Sequence, residues 1–135
     1  MDIWSRKKRS YVMSRIREKN TTPERAVRRL LRVLGVKYQL NVKGLPGRPD
    51  VVVNGKKAVV FVHGCFWHLH RYCVDGVIPA TRRSYWRRKL LGNRLRDALN
   101  TRRLQRLGWK VHRVWECEVE KHPASVLRKL QKFLC

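Results

Sequence analysis

Acidic residues are scarce in this chain. Only 9 Asp and Glu stand against 33 Lys and Arg in 135 residues, a formal net charge of +24. Charge of one sign at that density repels itself and calls for a polyanion. Nucleic acid is the leading candidate, and an anionic membrane surface comes second. Long apolar runs are missing too: none approaches the roughly 18 residues of a membrane-spanning helix. The basic start, Met1 to Arg9, is not followed by an apolar stretch, so no secretory signal is expected. There is no internal repeat and no low-complexity linker. Cysteine is sparse, four residues in all. In a basic chain of intracellular character, cysteines favour metal over disulfides. Apolar residues are not lacking: they make up 43% of the chain, enough at this length for one domain with a real core.

The chain divides into a basic arm, residues 1–20, and a single folded domain, 21–135. Thr21-Thr22-Pro23-Glu24 has the form of a helix start, with Thr21 as cap and Glu24 completing a capping box. Ala26, Val27, Leu30, Leu31 and Leu34 follow at helical spacing, and Gly35 stops the helix. Strands are expected over Val36–Val42, Val51–Val53 and Ala58–Val62, the last buried and central. Asn54-Gly55 predicts a two-residue hairpin turn. Ser84 is placed to cap a long helix ending at Gly108. Trp109–Trp115 reads as a strand, with Trp109 and Trp115 in the core. Pro123–Leu134 reads as a final amphipathic helix. The expected class is α/β or α+β, one sheet flanked by helices.

The stretch Cys65-Phe66-Trp67-His68-Leu69-His70-Arg71-Tyr72-Cys73 carries the densest chemistry. Two thiols and two imidazoles in nine residues fit a tetrahedral zinc site with a histidine to spare. The aromatic pair Phe66-Trp67 has little room in such a loop for a core of its own. On a basic chain it could stack on bases instead. Asp50 opens a strand whose hairpin partner runs to His63, so the two should be near neighbours, with His68 beside them if the loop folds back. A carboxylate beside two imidazoles suits Mg²⁺-assisted phosphodiester hydrolysis. Spacing alone leaves equally open a simple pairing of Asp50 with one of the many arginines.

Several segments together resemble the very-short-patch repair (Vsr) DNA mismatch endonucleases. They are Leu45-Pro46-Gly47-Arg48-Pro49-Asp50-Val51-Val52 and Phe61-Val62-His63-Gly64-Cys65-Phe66-Trp67-His68. Pro79-Ala80-Thr81, Tyr85-Trp86 with Lys89 and Asn93, Leu107-Gly108-Trp109 and Val114-Trp115-Glu116-Cys117-Glu118 follow in order. The resemblance implies a restriction-endonuclease-like fold: a central mixed sheet flanked by helices, with a structural zinc site. It implies nicking of DNA 5′ to the T of a T:G mismatch, the product of 5-methylcytosine deamination. Like that family, the chain lacks an acidic-x-Lys pattern after Asp50: Val60, Val62 and His63 stand there.

Carried over by resemblance, Asp50 and the Val62 main-chain carbonyl hold Mg²⁺. His63 and His68 assist proton transfer, and Glu24 supports the site. A Mg²⁺ ion needs few protein oxygens. Cys65, His70, Cys73 and Cys117 form a closed Cys₃His zinc set, with His68 competing with His70. His70-x-x-Cys73 is one residue longer than the spacing in some members. Cys135 is expected to be an unliganded terminal thiol. Phe66, Trp67 and Trp86 match intercalating aromatics, and Met13 a wedge from the other groove. Lys89 and Asn93, four apart on one helix face, match positions that approach the mismatch. Asp97 either orients that face or pairs with an arginine. Arg82, Arg83, Arg87, Arg88, Arg94 and Arg96 suit phosphate contacts.

The resemblance further implies a monomer in the bacterial cytoplasm, acting at the nucleoid, with a cytosine-5 DNA methyltransferase as functional companion and no membrane partner. Two other readings stay open. One is a restriction- or recombination-type nuclease of the same fold. The other is a zinc-stabilised DNA-binding module without catalysis, for which Asp50, His63 and His68 together would have no use.

Overall fold

The computed structural model describes residues 22–70 and 76–135. The basic arm with Met13, the Thr21 cap and Cys73 lie outside the described residues.

Helix α1 spans Thr22–Val33 and buries Val27 and Leu31, with Leu30 and Leu34 packed beside them. Gly35 closes it at φ +69°, where the left-handed backbone lets Val36 N–H reach Leu31 C=O at 3.2 Å. The expected strand over 36–42 shrinks to β1, Gln39–Leu40, with both residues exposed. Asn41 turns left-handed at φ 49° and its N–H returns to Asp50 C=O at 3.1 Å, which ends the pairing.

Strands β2 (Val51–Val53) and β3 (Ala58–His63) are buried throughout. They pair antiparallel, Val51 with Val60 and Val53 with Ala58. That register leaves residues 54–57 in the connection, so the two-residue turn is not formed. Asn54–Lys56 make a 3₁₀ turn instead, and Lys57 takes the left-handed seat at φ 48°. Asn54 donates to the Gln39 side chain at 3.0 Å, which draws the turn toward β1.

Helix α2 spans Arg83–Arg106. Ser84 falls inside its first turn rather than at the cap; Arg82 precedes the helix in a left-handed conformation. Gly108, at φ +89°, releases the chain into β4, Lys110–Trp115. The α2 crossover makes β4 parallel to β3. The sheet order is β1-β2-β3-β4, so it is mixed, and helices flank it as expected.

A short helix, α3 (Glu116–Lys121), has no counterpart in the sequence pattern; α4 (Pro123–Leu134) follows with the expected bounds. Residues of α1, α3 and α4 cover one face of the sheet, against Val51, Val53, Val60 and Val62. Leu104 of α2 packs on the other, against Val52, Val59 and Phe61. A third cluster corrects an expectation: Phe66 is buried with Leu69 and Leu90, with Trp67, Ile78 and Trp86 packed around them. The aromatic loop does have a core of its own, because α2 supplies its floor. No helix among the described residues is long and apolar enough to cross a membrane.

Candidate active site and metal centre

Three strand ends meet at one end of the sheet. Antiparallel pairing brings the start of β2 to the end of β3, and parallel pairing brings the end of β4 there too. The residues just beyond these ends carry the chemistry.

Asp50 immediately precedes β2. Its Oδ2 accepts a hydrogen bond from Val62 N–H at 2.7 Å. In an extended strand the N–H and C=O of one residue point to the same side, so the Val62 carbonyl lies on the side of Asp50. Glu24, in the first turn of α1, is buried at 8% exposure and stands beside Asp50. Both line a shallow cleft with Arg28, Leu40, Asn41, Val51 and Val62. Burial pushes the Asp50 carboxyl well above the usual carboxylate range. The Val62 N–H opposes that rise, and the Glu24 charge and a hydrogen bond with Glu24 add to it. Two desolvated carboxylates facing each other are relieved by a shared proton or by a cation. Oxygen donors of this kind suit a hard divalent ion.

His63 ends β3 and is bonded neither to Asp50 nor to Glu24. Asp50 reaches the main chain of its neighbour Val62 instead. The His63 ring stacks on His68, with centroids 3.8 Å apart and planes 3° from parallel. The loop therefore folds back as expected. His63 is 4% exposed, and its Nδ1 has no hydrogen-bond partner among the described residues. Burial, with lesser contributions from His68 and Arg113, lowers its pKa far below the ordinary imidazole value, so the ring is neutral. His68 Nδ1 lies 2.5 Å from Asp97 Oδ2. A carboxylate there holds the proton on Nδ1 and leaves Nε2 as the acceptor. Neither reading of Asp97 named this partner: its carboxylate meets His68 rather than the Lys89–Asn93 face or an arginine. The sequence signal was its place on the Lys89–Asn93 face of α2, and nothing in the sequence named its partner.

The soft donors gather separately. Cys65 Sγ and Cys117 Sγ lie 3.6 and 3.4 Å from His70 Nδ1. Tetrahedral zinc with ordinary Zn–S and Zn–N bonds separates such ligand atoms by about 3.6 Å, so this spacing fits. Of the two competing histidines, His70 faces the sulfurs and His68 faces Asp97. A tight turn brings this about, with His70 N–H bonded to Cys65 C=O at 3.0 Å and Leu69 left-handed at φ 48°. Cys117 arrives in the first turn of α3, and Glu116 accepts Cys65 N–H at 3.2 Å. A Cβ on Gly76 would run into the His70 main chain, so the loop returns closely past the cluster. His63, His68 and Asp97 form a second group whose donor atoms lie within 4.8 Å of one another. Cys135 is exposed at the end of α4.

Trp115 departs from the expected core role. Trp109 packs against the second apolar cluster, but the Trp115 ring stacks on His70 at 4.1 Å and meets His63 edge-on at 5.3 Å.

Trp67 and Trp86 lie beside buried Phe66, with ring centroids 5.2 to 6.1 Å apart. Both residues of the α2 face reach Trp67. Lys89 Nζ sits 5.5 Å from its ring centroid, and Asn93 donates to its main-chain carbonyl at 3.1 Å. The Trp67 indole nitrogen is buried without a hydrogen-bond partner among the described residues. Arg82, Arg83, Arg87, Arg88 and Arg96 are exposed along α2 and its approach, and Arg94 is half-buried.

Comparison with known proteins agrees with this geometry. The profile of the family described as DNA mismatch endonuclease Vsr matches residues 1–74. The type II nicking enzyme V.XorIIP of Xanthomonas oryzae is 46% identical over 87% of this chain and 86% of its own. The type II nicking enzyme V.NmeAIP of Neisseria meningitidis is 44% identical over 98% and 94%. The DNA mismatch endonuclease Vsr of Escherichia coli is 38% identical over 99% and 88%. The chain belongs to the Vsr family and is a DNA endonuclease, a hydrolase acting on DNA.

Proposed function

We propose that this protein nicks the T-containing strand of a T:G mismatch, 5′ to the T, by metal-assisted phosphodiester hydrolysis. The observation that carries the reading is the cleft holding Glu24, Asp50 and Val62 at the same sheet end as neutral His63 and the His68–Asp97 pair. Asp50 and the Val62 carbonyl would hold Mg²⁺, with Glu24 supporting the site beside them. When bound, that ion supplies Lewis-acid charge stabilisation and a more acidic water. The chain's own part is proton handling. A water oxygen bonds to phosphorus, the P–O bond to the leaving oxygen breaks, and the protons must be moved. His68 Nε2, its tautomer set by Asp97, is the group that exchanges them. His63 keeps its neighbour's plane fixed and adds no charge to the stack.

Cys65, His70, Cys117 and, from outside the described residues, Cys73 would hold structural Zn²⁺. The body, residues 21–135, is then a restriction-endonuclease-like domain, and the arm, 1–20, contacts DNA. Met13, Phe66, Trp67 and Trp86 are the residues assigned to opening the duplex, with Lys89 and Asn93 near the mispaired bases. Buried Phe66 serves this role as the seat of the other rings. Trp67 has less to lose by leaving its seat, since its indole N–H is unsatisfied there. The protein acts as a cytoplasmic monomer, in the company of a cytosine-5 methyltransferase that creates the vulnerable base.

The test is a nicking assay with Mg²⁺ on duplexes differing at one position, T:G, C:G or T:A, with the cut mapped on each strand. Cutting only beside the T of T:G is expected. Equal cutting of all three would assign the chain to a nuclease of the same fold with another target.

A further inference from the structure

We infer that Trp115 is a positioning residue that couples the Cys65–His70–Cys117 cluster to the stacked His63–His68 pair. The inference rests on the reading above for what the two groups do. The coupling itself is geometric.

Trp115 packs into none of the three apolar clusters among the described residues. Among the described residues its two ring contacts are both imidazoles. One is His70, stacked at 4.1 Å with planes 14° apart. The other is His63, edge-on at 5.3 Å and 72°. The backbone of Trp115 is fixed from both sides. It pairs in register with His63 at the end of β4, and its N–H donates to Glu118 Oε1 at 3.4 Å. A tryptophan with a fixed backbone has two torsions left. The His70 plane sets them, because the indole must lie flat on it.

Any ion held through His70 Nδ1 fixes that plane. The indole edge then forms a wall for His63. His63 sets His68 by parallel stacking, and Asp97 closes the line at 2.5 Å. His70, Trp115, His63, His68 and Asp97 thus form one continuous row of contacts, from the soft-donor cluster to the proton-exchanging imidazole. A displacement at one end reaches the other without passing through the apolar core.

The experiment uses the full chain with zinc and its Trp115→Leu and Trp115→Phe variants. In Trp115→Leu the zinc content should stay at the wild-type level, since every donor is retained. The kcat for T:G nicking should fall roughly 100-fold with KM unchanged, the size expected for a reacting group misplaced by about an ångström. Trp115→Phe, which keeps a flat ring, should recover most of it. The ¹H–¹³C signals of the His63 and His68 rings should move in Trp115→Leu, while those of His112 and His122 stay. Exchange of Zn²⁺ for Cd²⁺, a larger ion, should move the His63 signal in the wild type and not in Trp115→Leu.

Unmoved His63 signals on metal exchange in the wild type would overturn the coupling. So would wild-type kcat in Trp115→Leu, or loss of zinc from that variant, which would make Trp115 packing for the cluster alone. The ring signals do not depend on cleavage. A wild-type protein with coupled signals that fails to nick T:G duplex would therefore refute the proposed reaction and uphold the coupling.

Discussion

The soft-donor cluster and the carboxylate pair sit at the same end of one sheet, yet they are built on opposite terms. Cys65, His70 and Cys117 turn toward one another, and their spacing suits an ion that would join a loop to α3. Asp50 and Glu24 are forced together by β2 and α1, and burial makes their charges costly to each other. The first arrangement favours the folded state. The second opposes it until a proton or cation arrives. Stability and activity should therefore respond to different residues, although Asp50, Cys65 and Cys117 all lie within two residues of a strand end.

The sharpest separation is expected at Cys117. Cys117→Ser should release zinc and the fold together, because for a structural site the binding free energy, on the order of 10 kcal/mol, is folding free energy. Elemental analysis with a thermal melt checks it; an unchanged melt would erase the contrast. Asp50→Asn should do the reverse. Nicking should fall at least about 1,000-fold, about 4 kcal/mol on the barrier, while mismatch binding persists. The melting temperature should hold or rise by up to about 4 °C, since relief of about 1 kcal/mol of repulsion shifts a domain this size by that much. A large drop in melting temperature would place Asp50 with the stabilising set.

DNA recognition divides in the same way, at smaller magnitude. Trp67→Ala should weaken T:G binding by about 1–3 kcal/mol, the worth of stacking on a base, with little change on matched duplex or in salt dependence. Arg87→Ala should weaken both duplexes alike and reduce the log–log salt slope by about 0.9. Titrations at several salt concentrations decide it. Equal losses on both duplexes in Trp67→Ala would make that ring a packing residue of the third cluster.

The smallest effect belongs to His112, which lies in neither set. Burial lowers its pKa, Glu118 partly offsets this, and Lys129 adds to the lowering. As pH falls through about 6.5, the unfolded chain binds the proton first. The contribution of His112 is therefore complete above that pH and is lost as pH falls toward the folded-state value. His112→Gln should flatten this part of the stability curve in urea melts between about pH 5 and 8; an unaltered slope would discount it.

Much of this was legible in the chain. The helix over Pro123–Leu134, the buried strand before His63 and the stops at Gly35 and Gly108 follow from local periodicity and backbone sterics, and the structure keeps them. The soft donors were visible because nine residues concentrate them. The failures have physical causes. Asn54-Gly55 implied a tight turn, but Lys57 occupies the left-handed seat and lengthens it. Glu116 and Glu118 mark the first turn of α3, yet six residues between a strand and a proline carry too little periodicity to show a helix. Phe66 reads in sequence as a ring without a core because its floor, Leu90, lies 24 positions away. The His68–Asp97 bond spans 29 positions and depends on α2 crossing the loop.

Alternation along β3 also constrains how the chain can diverge. Val60 and Val62 enter one apolar cluster, and Val59 and Phe61 enter the other, with Phe61 tilted against His63 at 5.6 Å. A deletion of one residue between Ala58 and Val62 would reverse every later side chain. The imidazole would then point among aliphatic valines, and Gly64 would take its place against His68. Side chains here can be exchanged, but lineages that gain or lose a single codon in this strand should be eliminated. Lys43 and Gly44 are exposed, with open space around Gly44, and face no such filter, so length variation between relatives should collect there.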